Sequence, residues 1–172
     1  MDKLSKTYDT LIEGFSQNPN IHYCGALPKR RDEIRLPAML LDLVELSPGQ
    51  SSGTSELVLI SHWEGRILLP DTEPVSTLWQ MVQQCLSWVE AFEWKSIGVG
   101  DAQIKQAAPD HFLPDLQGHR CWLIEWTHQY RVGEDIWAQT GPYPNKTPKI
   151  IDLGWRDDTD RETIYIHDES AF

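Results

Sequence analysis

Residues Arg120 to Val132 alternate without a break, with Trp122, Ile124, Trp126, His128 and Tyr130 on one side and Cys121, Leu123, Glu125, Thr127, Gln129 and Arg131 on the other. A period of two over such a length is the pattern of a β-strand with one buried face. At roughly 3.3 Å per residue the strand would be about 40 Å long, well beyond the usual five or six residues. Part of the strand is expected to overhang the domain's own core.

Two further runs supply neighbours for it. From Ala38 to Leu46 the sequence is almost continuously apolar, as in a strand covered on both faces. From Glu56 to Leu69 the residues Leu57, Leu59, Trp63, Ile67 and Leu69 oppose Glu56, His62, Glu64 and Arg66. With the loop Ser47 to Gly53 between them, these runs predict an antiparallel hairpin. A short extended piece at Ile21 to Tyr23 and a short strand at Ala102 to Gln106 complete the β content.

Two helices are expected. Leu4, Tyr8, Leu11, Ile12 and Phe15 form a single apolar stripe over Asp2 to Phe15, which Gln17-Asn18-Pro19-Asn20 ends. The second runs from Val75 to about Trp94, with Asp71 or Thr72 as its cap and Glu73 and Pro74 suited to its first turn. Its core stripe is Leu78, Met81, Val82, Cys85, Leu86, Val89 and Phe92, and Trp79 and Trp88 lie beside it. Those two indoles either finish the intramolecular core or meet another subunit. The pattern as a whole predicts an α+β fold: a mainly antiparallel sheet with two helices packed against it, in a single domain spanning residues 1–132.

The chain has 172 residues and a formal net charge of -11. Seven acids and two arginines fall within residues 150–172. Residues 133–172 therefore read as an irregular, acidic C-terminal extension, solvated and in part disordered. An acidic chain is repelled by phosphate backbones and anionic lipid, so neither nucleic acid nor a membrane surface is an expected partner. No apolar run approaches the length of a membrane span, and the N-terminus has no apolar signal region. The odd, widely spaced Cys24, Cys85 and Cys121 fit a reduced cytoplasmic compartment, with thiols used as small hydrophobes.

Motifs for chemistry are missing. Gly98-Val99-Gly100 follows a helix and lacks the third glycine of a dinucleotide fingerprint, so it reads as a turn. There is no phosphate loop, nucleophile elbow or zinc-protease helix. His119 and Cys121 share a strand face, yet no second ligand pair appears at zinc spacing. Asp157, Asp158, Asp160 and Glu162 crowd carboxylates without the glycine of a calcium loop. Glu125 lies opposite Trp122 and Trp126 and has no partner acid in the sequence pattern. No cofactor, metal or catalytic residue is assigned.

The order of features is more informative. The N-terminal amphipathic helix, the Leu-Pro-Ala-Met-Leu-Leu-Asp-Leu-Val-Glu-Leu strand at 36–46, the Gly/Ser loop, the strand at 56–69, the central helix and the late Trp-Leu-Ile-Glu-Trp-Thr-His-Gln-Tyr strand resemble the tail terminator, or tail completion, proteins of tailed bacteriophages and prophages. The resemblance covers residues 2–132. It implies a non-enzymatic structural subunit that forms a homohexameric ring on the tail tube, ends tube polymerisation and offers a head-joining surface. The implied partners are further copies of the chain, the tail tube protein and a head-completion or connector protein. The implied location is the host bacterial cytoplasm during assembly and then the virion tail. Trp63, Trp79, Trp88, Trp122, Trp126 and Tyr130 become the candidate subunit or tube contacts, because large amphipathic rings add contact area at low entropic cost. Two alternatives stand beside this reading. One is a small cytoplasmic enzyme or ligand-binding domain with a cleft near Trp122, Trp126 and His128; the other is a different head-tail connector or baseplate component.

Overall fold

The computed structural model describes residues 2–30, 34–51, 53, 55–110 and 119–133. The chain divides into two units, Met1–Gly133 and Glu134–Phe172. The second unit, with the carboxylate run at 157–162, lies outside the described residues.

The first unit is an α+β fold. In chain order it comprises helix α1 (Lys3–Ser16), strands β1 (Tyr23–Gly25), β2 (Ala38–Pro48) and β3 (Leu57–Pro70), helix α2 (Val75–Ala91), a 3-10 turn (Trp94–Ile97), and strands β4 (Gln103–Pro109) and β5 (His119–Val132). The five strands form one sheet in the order β1-β2-β3-β5-β4. All neighbours are antiparallel except β1 and β2.

At the centre, all 14 residues of β3 pair with all 14 of β5, from Leu57 opposite Val132 to Pro70 opposite His119. The long strand therefore does not overhang its neighbour, because β3 is equally long. What outruns the core is the far end of the sheet, where Leu46, Leu57 and Val132 are exposed. Coverage of β2 also differs from expectation: Ala38 to Leu41 are buried, but the distal half of the strand is largely exposed.

Both helices lie on one face of the sheet. Leu11 and Phe15 from α1 and Leu78, Met81, Cys85 and Val89 from α2 meet Met39, Leu41, Trp63, Ile67, Ile124, Trp126 and Tyr130 in the main core. On the opposite face Ile34 and Leu36, ahead of β2, pack with Tyr23 and Cys121 against Ala38, Leu40 and Leu68. The rest of that face is mixed: Asp42, Glu64, Arg66, Glu125 and Arg131 are polar, whereas Val58 is buried and Ile60 and Leu123 are half-buried.

Capping follows local chemistry. Asp2 stands outside α1 as its N-cap, its carboxylate accepting from the Ser5 N–H at 2.8 Å. Asp71 and Thr72 do not cap α2; Pro74 holds that position, without a side-chain hydrogen bond. Asp71 and Glu73 instead give their carbonyls to the Arg120 guanidinium of β5. At its other end α2 stops at Ala91, since Phe92 is extended, and Trp94 belongs to the 3-10 turn that Gly98 closes with φ 77°.

The outer side of β5 is also closed. β4 covers it opposite Trp122 to Thr127, with an extra residue at Lys105 that interrupts the register. Beyond β4, the Gly100 N–H donates to the Gln129 carbonyl at 2.8 Å and Lys3 Nζ to the Arg131 carbonyl at 2.7 Å.

Gly14 lies within α1, where glycine costs about 1 kcal/mol relative to alanine. Its role is steric: a Cβ there would fall 1.8 Å from Cζ2 of Trp88, whose indole rests on the bare helix backbone. Gly14→Ala is therefore expected to lower stability by about 1–3 kcal/mol in urea unfolding. In a Trp88→Leu background the same change should become neutral or stabilising, and a double-mutant cycle checks the coupling.

Candidate interface surfaces

The alternation along β3 and β5 determines which face each aromatic residue occupies, but the elements above that face decide whether it is visible. Trp63, Trp126 and Tyr130 all point to the helical side and are 2%, 1% and 1% exposed. As contacts with a partner these three are corrected: α1 already covers them, through Tyr8, Phe15 and Thr7. Trp63 donates its indole N–H to Ser61 Oγ at 2.9 Å and lies 6.3 Å from the Tyr8 ring. The Tyr130 hydroxyl donates to Thr7 Oγ1 at 3.0 Å.

Trp88 and Trp122 are half-buried. Trp88 packs on Phe15, Phe92 and Trp94 at ring separations of 5.2, 5.3 and 5.8 Å, so most of its area belongs to the intramolecular core. Trp122 keeps an indole N–H without a hydrogen-bond partner among the described residues. Trp79 is different. It is 54% exposed on α2, with the exposed Val75 one helical turn before it. Of the six candidates, Trp79 therefore offers the clearest outward aromatic surface. Leu46, Leu57 and Val132, exposed at the far end of the sheet, form a second apolar area that the aromatic pattern did not single out.

Trp94 was also hidden from the pattern. The helical pattern runs to about Trp94 without assigning it to the core, but it is fully buried and donates its N–H to the Val89 carbonyl at 2.8 Å. The αL glycine at Gly98 was the available signal for a new turn.

The alternative reading placed a cleft near Trp122, Trp126 and His128. His128 is 1% exposed and enclosed by Trp94 and Tyr130, whose rings lie 4.3 and 6.5 Å away. Both nitrogens are engaged: Nε2 accepts from the Trp126 indole at 3.1 Å and Nδ1 faces the Gly100 carbonyl at 3.0 Å. Burial pulls its pKa down to about 4. The ring is a satisfied, neutral core group with no approach for a ligand.

Two surface depressions occur, neither of them lined by Trp122 or His128. One, of about 220 Å³, lies between the helices along Gly14, Phe15, Asn18, Gln84, Cys85 and Trp88. The other, of about 210 Å³, is lined by the polar Glu45, His62, Glu64, Lys105, Glu125 and Thr127, and it also touches Trp63 and Trp126 of the candidate set. Here the register brings together residues that lie far apart in sequence: Asp42 is opposite Glu64, which is opposite Glu125. The acid neighbour that Glu125 lacked in the sequence pattern is thus Glu64. Both acids are engaged, Glu64 with Arg66 and Glu125 with the Gln106 amide at 2.7 Å. Arg66 also pairs with Asp110 at 3.0 Å, and Ser47 with His62 at 3.1 Å. Among the described residues no group of three or more His, Cys, Asp or Glu side chains is placed to hold a metal ion, and no helix is long and apolar enough to cross a membrane.

The three thiols are free. Burial pushes the pKa of Cys24 and Cys121 up to about 11 and that of Cys85 up to about 12. All three stay protonated near neutrality and are poor nucleophiles. In the native protein at pH 7.5 they should react with a disulfide reagent roughly tenfold or more slowly than free cysteine, a deficit that unfolding in urea abolishes. Rates equal to free cysteine would contradict this burial.

No protein-family model matches the chain, and no curated protein matches it.

Proposed function

We propose that the chain is a non-enzymatic structural subunit of a phage or prophage tail, assembling as a hexameric ring that caps the tail tube and receives the head. The reading starts from the family resemblance of residues 2–132. The structural observation that best supports it is the outward Trp79, beside the exposed Val75, on a helix whose other aromatic, Trp88, is largely engaged inside. Leaving a large indole in water forfeits on the order of 2 kcal/mol of burial, which a subunit contact recovers. The second apolar area, at Leu46, Leu57 and Val132, lies at the far end of the sheet. A closed ring of identical subunits joins two different patches of each copy, so two separate apolar areas suit it.

In this reading the ring contacts copies of itself, the tube protein and a head-completion protein, first in the host cytoplasm and then in the virion. Native mass measurement at rising concentration, with and without tail tubes of the encoding phage, tests it. A ring, or binding to tube ends, is the expected outcome. Trp79→Ser should abolish that assembly while leaving the urea midpoint of the monomer nearly unchanged, since exposed substitutions typically shift stability by about 0.5 kcal/mol or less. A strict monomer that neither forms rings nor binds tube ends would sink the proposal.

A further inference from the structure

His128 is held in a protonation state that its neighbours dictate. An indole N–H can only donate, so the 3.1 Å contact from Trp126 requires a lone pair on Nε2. The ring proton therefore sits on Nδ1 and is donated to the Gly100 carbonyl at 3.0 Å. Gly100 in turn donates its N–H to the Gln129 carbonyl at 2.8 Å. One glycine is thus fastened to β5 through both its backbone groups. The approach is tight for a side chain, because a Cβ on Gly100 would lie 3.0 Å from the Gln129 oxygen and 3.2 Å from the Gln129 Cβ.

We propose that His128 is an acid-operated latch that holds residues 98–109, comprising the connection after the 3-10 turn and the edge strand β4, against β5. A second proton on the ring would place Nε2–H against the Trp126 N–H, two donors face to face. Trp126 is locked among Phe15 and the main core and has no room to turn away. Of the elements around His128, the segment 98–109 is the cheapest to displace. β4 is an edge strand of seven residues, nearly all exposed, and its ladder is interrupted at Lys105. Only Val99 in the connection is deeply buried. Release of this segment lets the imidazolium reach water and bares the ladder edge of β5.

Among the described residues the only carboxylate that acts on the ring is the exposed Asp101, and none is buried beside it. β5 presents Trp126 and Tyr130 to the ring, β3 presents Ser61 opposite it, and the 3-10 turn presents Trp94. α1 approaches with Thr7, bonded to Tyr130, and with Lys3 at the Arg131 carbonyl. Asp101 is the carboxylate that acts on the ring, and Lys95 already pairs with it at 2.7 Å. Closed, the ring titrates near 4; released, it returns toward the ordinary 6.5. The closed form is accordingly favoured in full above pH 6.5 and loses ground as the pH falls toward 4. Opening should become on the order of a hundredfold more frequent at pH 4 than at pH 7.

Native-state amide exchange on the full chain at these two pH values, with sub-denaturing urea and intrinsic rates divided out, tests the latch. At pH 4 the amides of residues 98–109 should exchange about a hundredfold more readily through an opening that is insensitive to urea. Amides in α1 and in the β2–β3 ladder should continue to require the urea-sensitive global transition. His128→Gln keeps an acceptor for Trp126 but cannot titrate, and in it the acid effect on 98–109 should vanish. If that variant does not fold, the contrast between segments in the natural chain decides. Exchange of 98–109 with the same urea dependence as the β2–β3 ladder at pH 4, or an acid effect that persists in folded His128→Gln, would overturn the proposal.

Discussion

The in-register pairing of β3 with β5 is the constraint on which the rest of the molecule depends. The strands are separated by α2, the 3-10 turn and β4, so no tight turn sets their alignment. The alternation of side chains sets it instead. A slip of one residue in one strand would exchange that strand's two faces, lifting Trp126, His128 and Tyr130 out of the core and driving Glu125 and Arg131 beneath the helices. A buried carboxylate without a partner costs several kcal/mol, as does exposure of the aromatics, so the two penalties act in the same direction. The contacts are far apart in sequence, which is the arrangement that folds slowly but specifies one register strongly.

The buried indoles show how finely that register is exploited. Each must place one N–H in an interior with few acceptors. Trp63 uses a serine two residues before it on the same strand, Trp126 a histidine two residues after it, and Trp94 a carbonyl at the end of α2. In the first two cases strand geometry itself delivers the acceptor, since residues two apart share a face. His128 is thereby explained as an acceptor for an indole, which is why a histidine with a strongly perturbed pKa lines neither surface depression.

Much of this was legible before the structure. The alternation at 120–132, the hairpin at 38–69 and the apolar stripe of each helix translate directly into elements, because period and face follow from backbone geometry alone. Depth does not. Trp63 and Trp79 look equally available in sequence, yet one lies under α1 and the other faces outward, and only the packing of helices distant in sequence separates them. The Asp71 cap was lost to a competitor, Arg120, whose proximity depends on the β3–β5 register. The meeting of Asp42, Glu64 and Glu125 depends on the same register across three strands. Gly14 and Trp88 form a knob and a hole 74 positions apart, a relation that no local pattern encodes.

The closed flank of β5 has a consequence for how such a molecule meets others. An open strand edge invites another chain to continue the ladder, and natural sheets blunt that invitation with charges, proline and bulges. Here β4 is short, carries its bulge at Lys105 and ends at Pro109, while Gly100 and Lys3 occupy the carbonyls beyond it. Sheet-to-sheet fusion is thus disfavoured along this side. Copies crowded at high local concentration are steered away from fibrous, backbone-zipped aggregates and toward contacts made by side chains, which can form and separate with the fold intact.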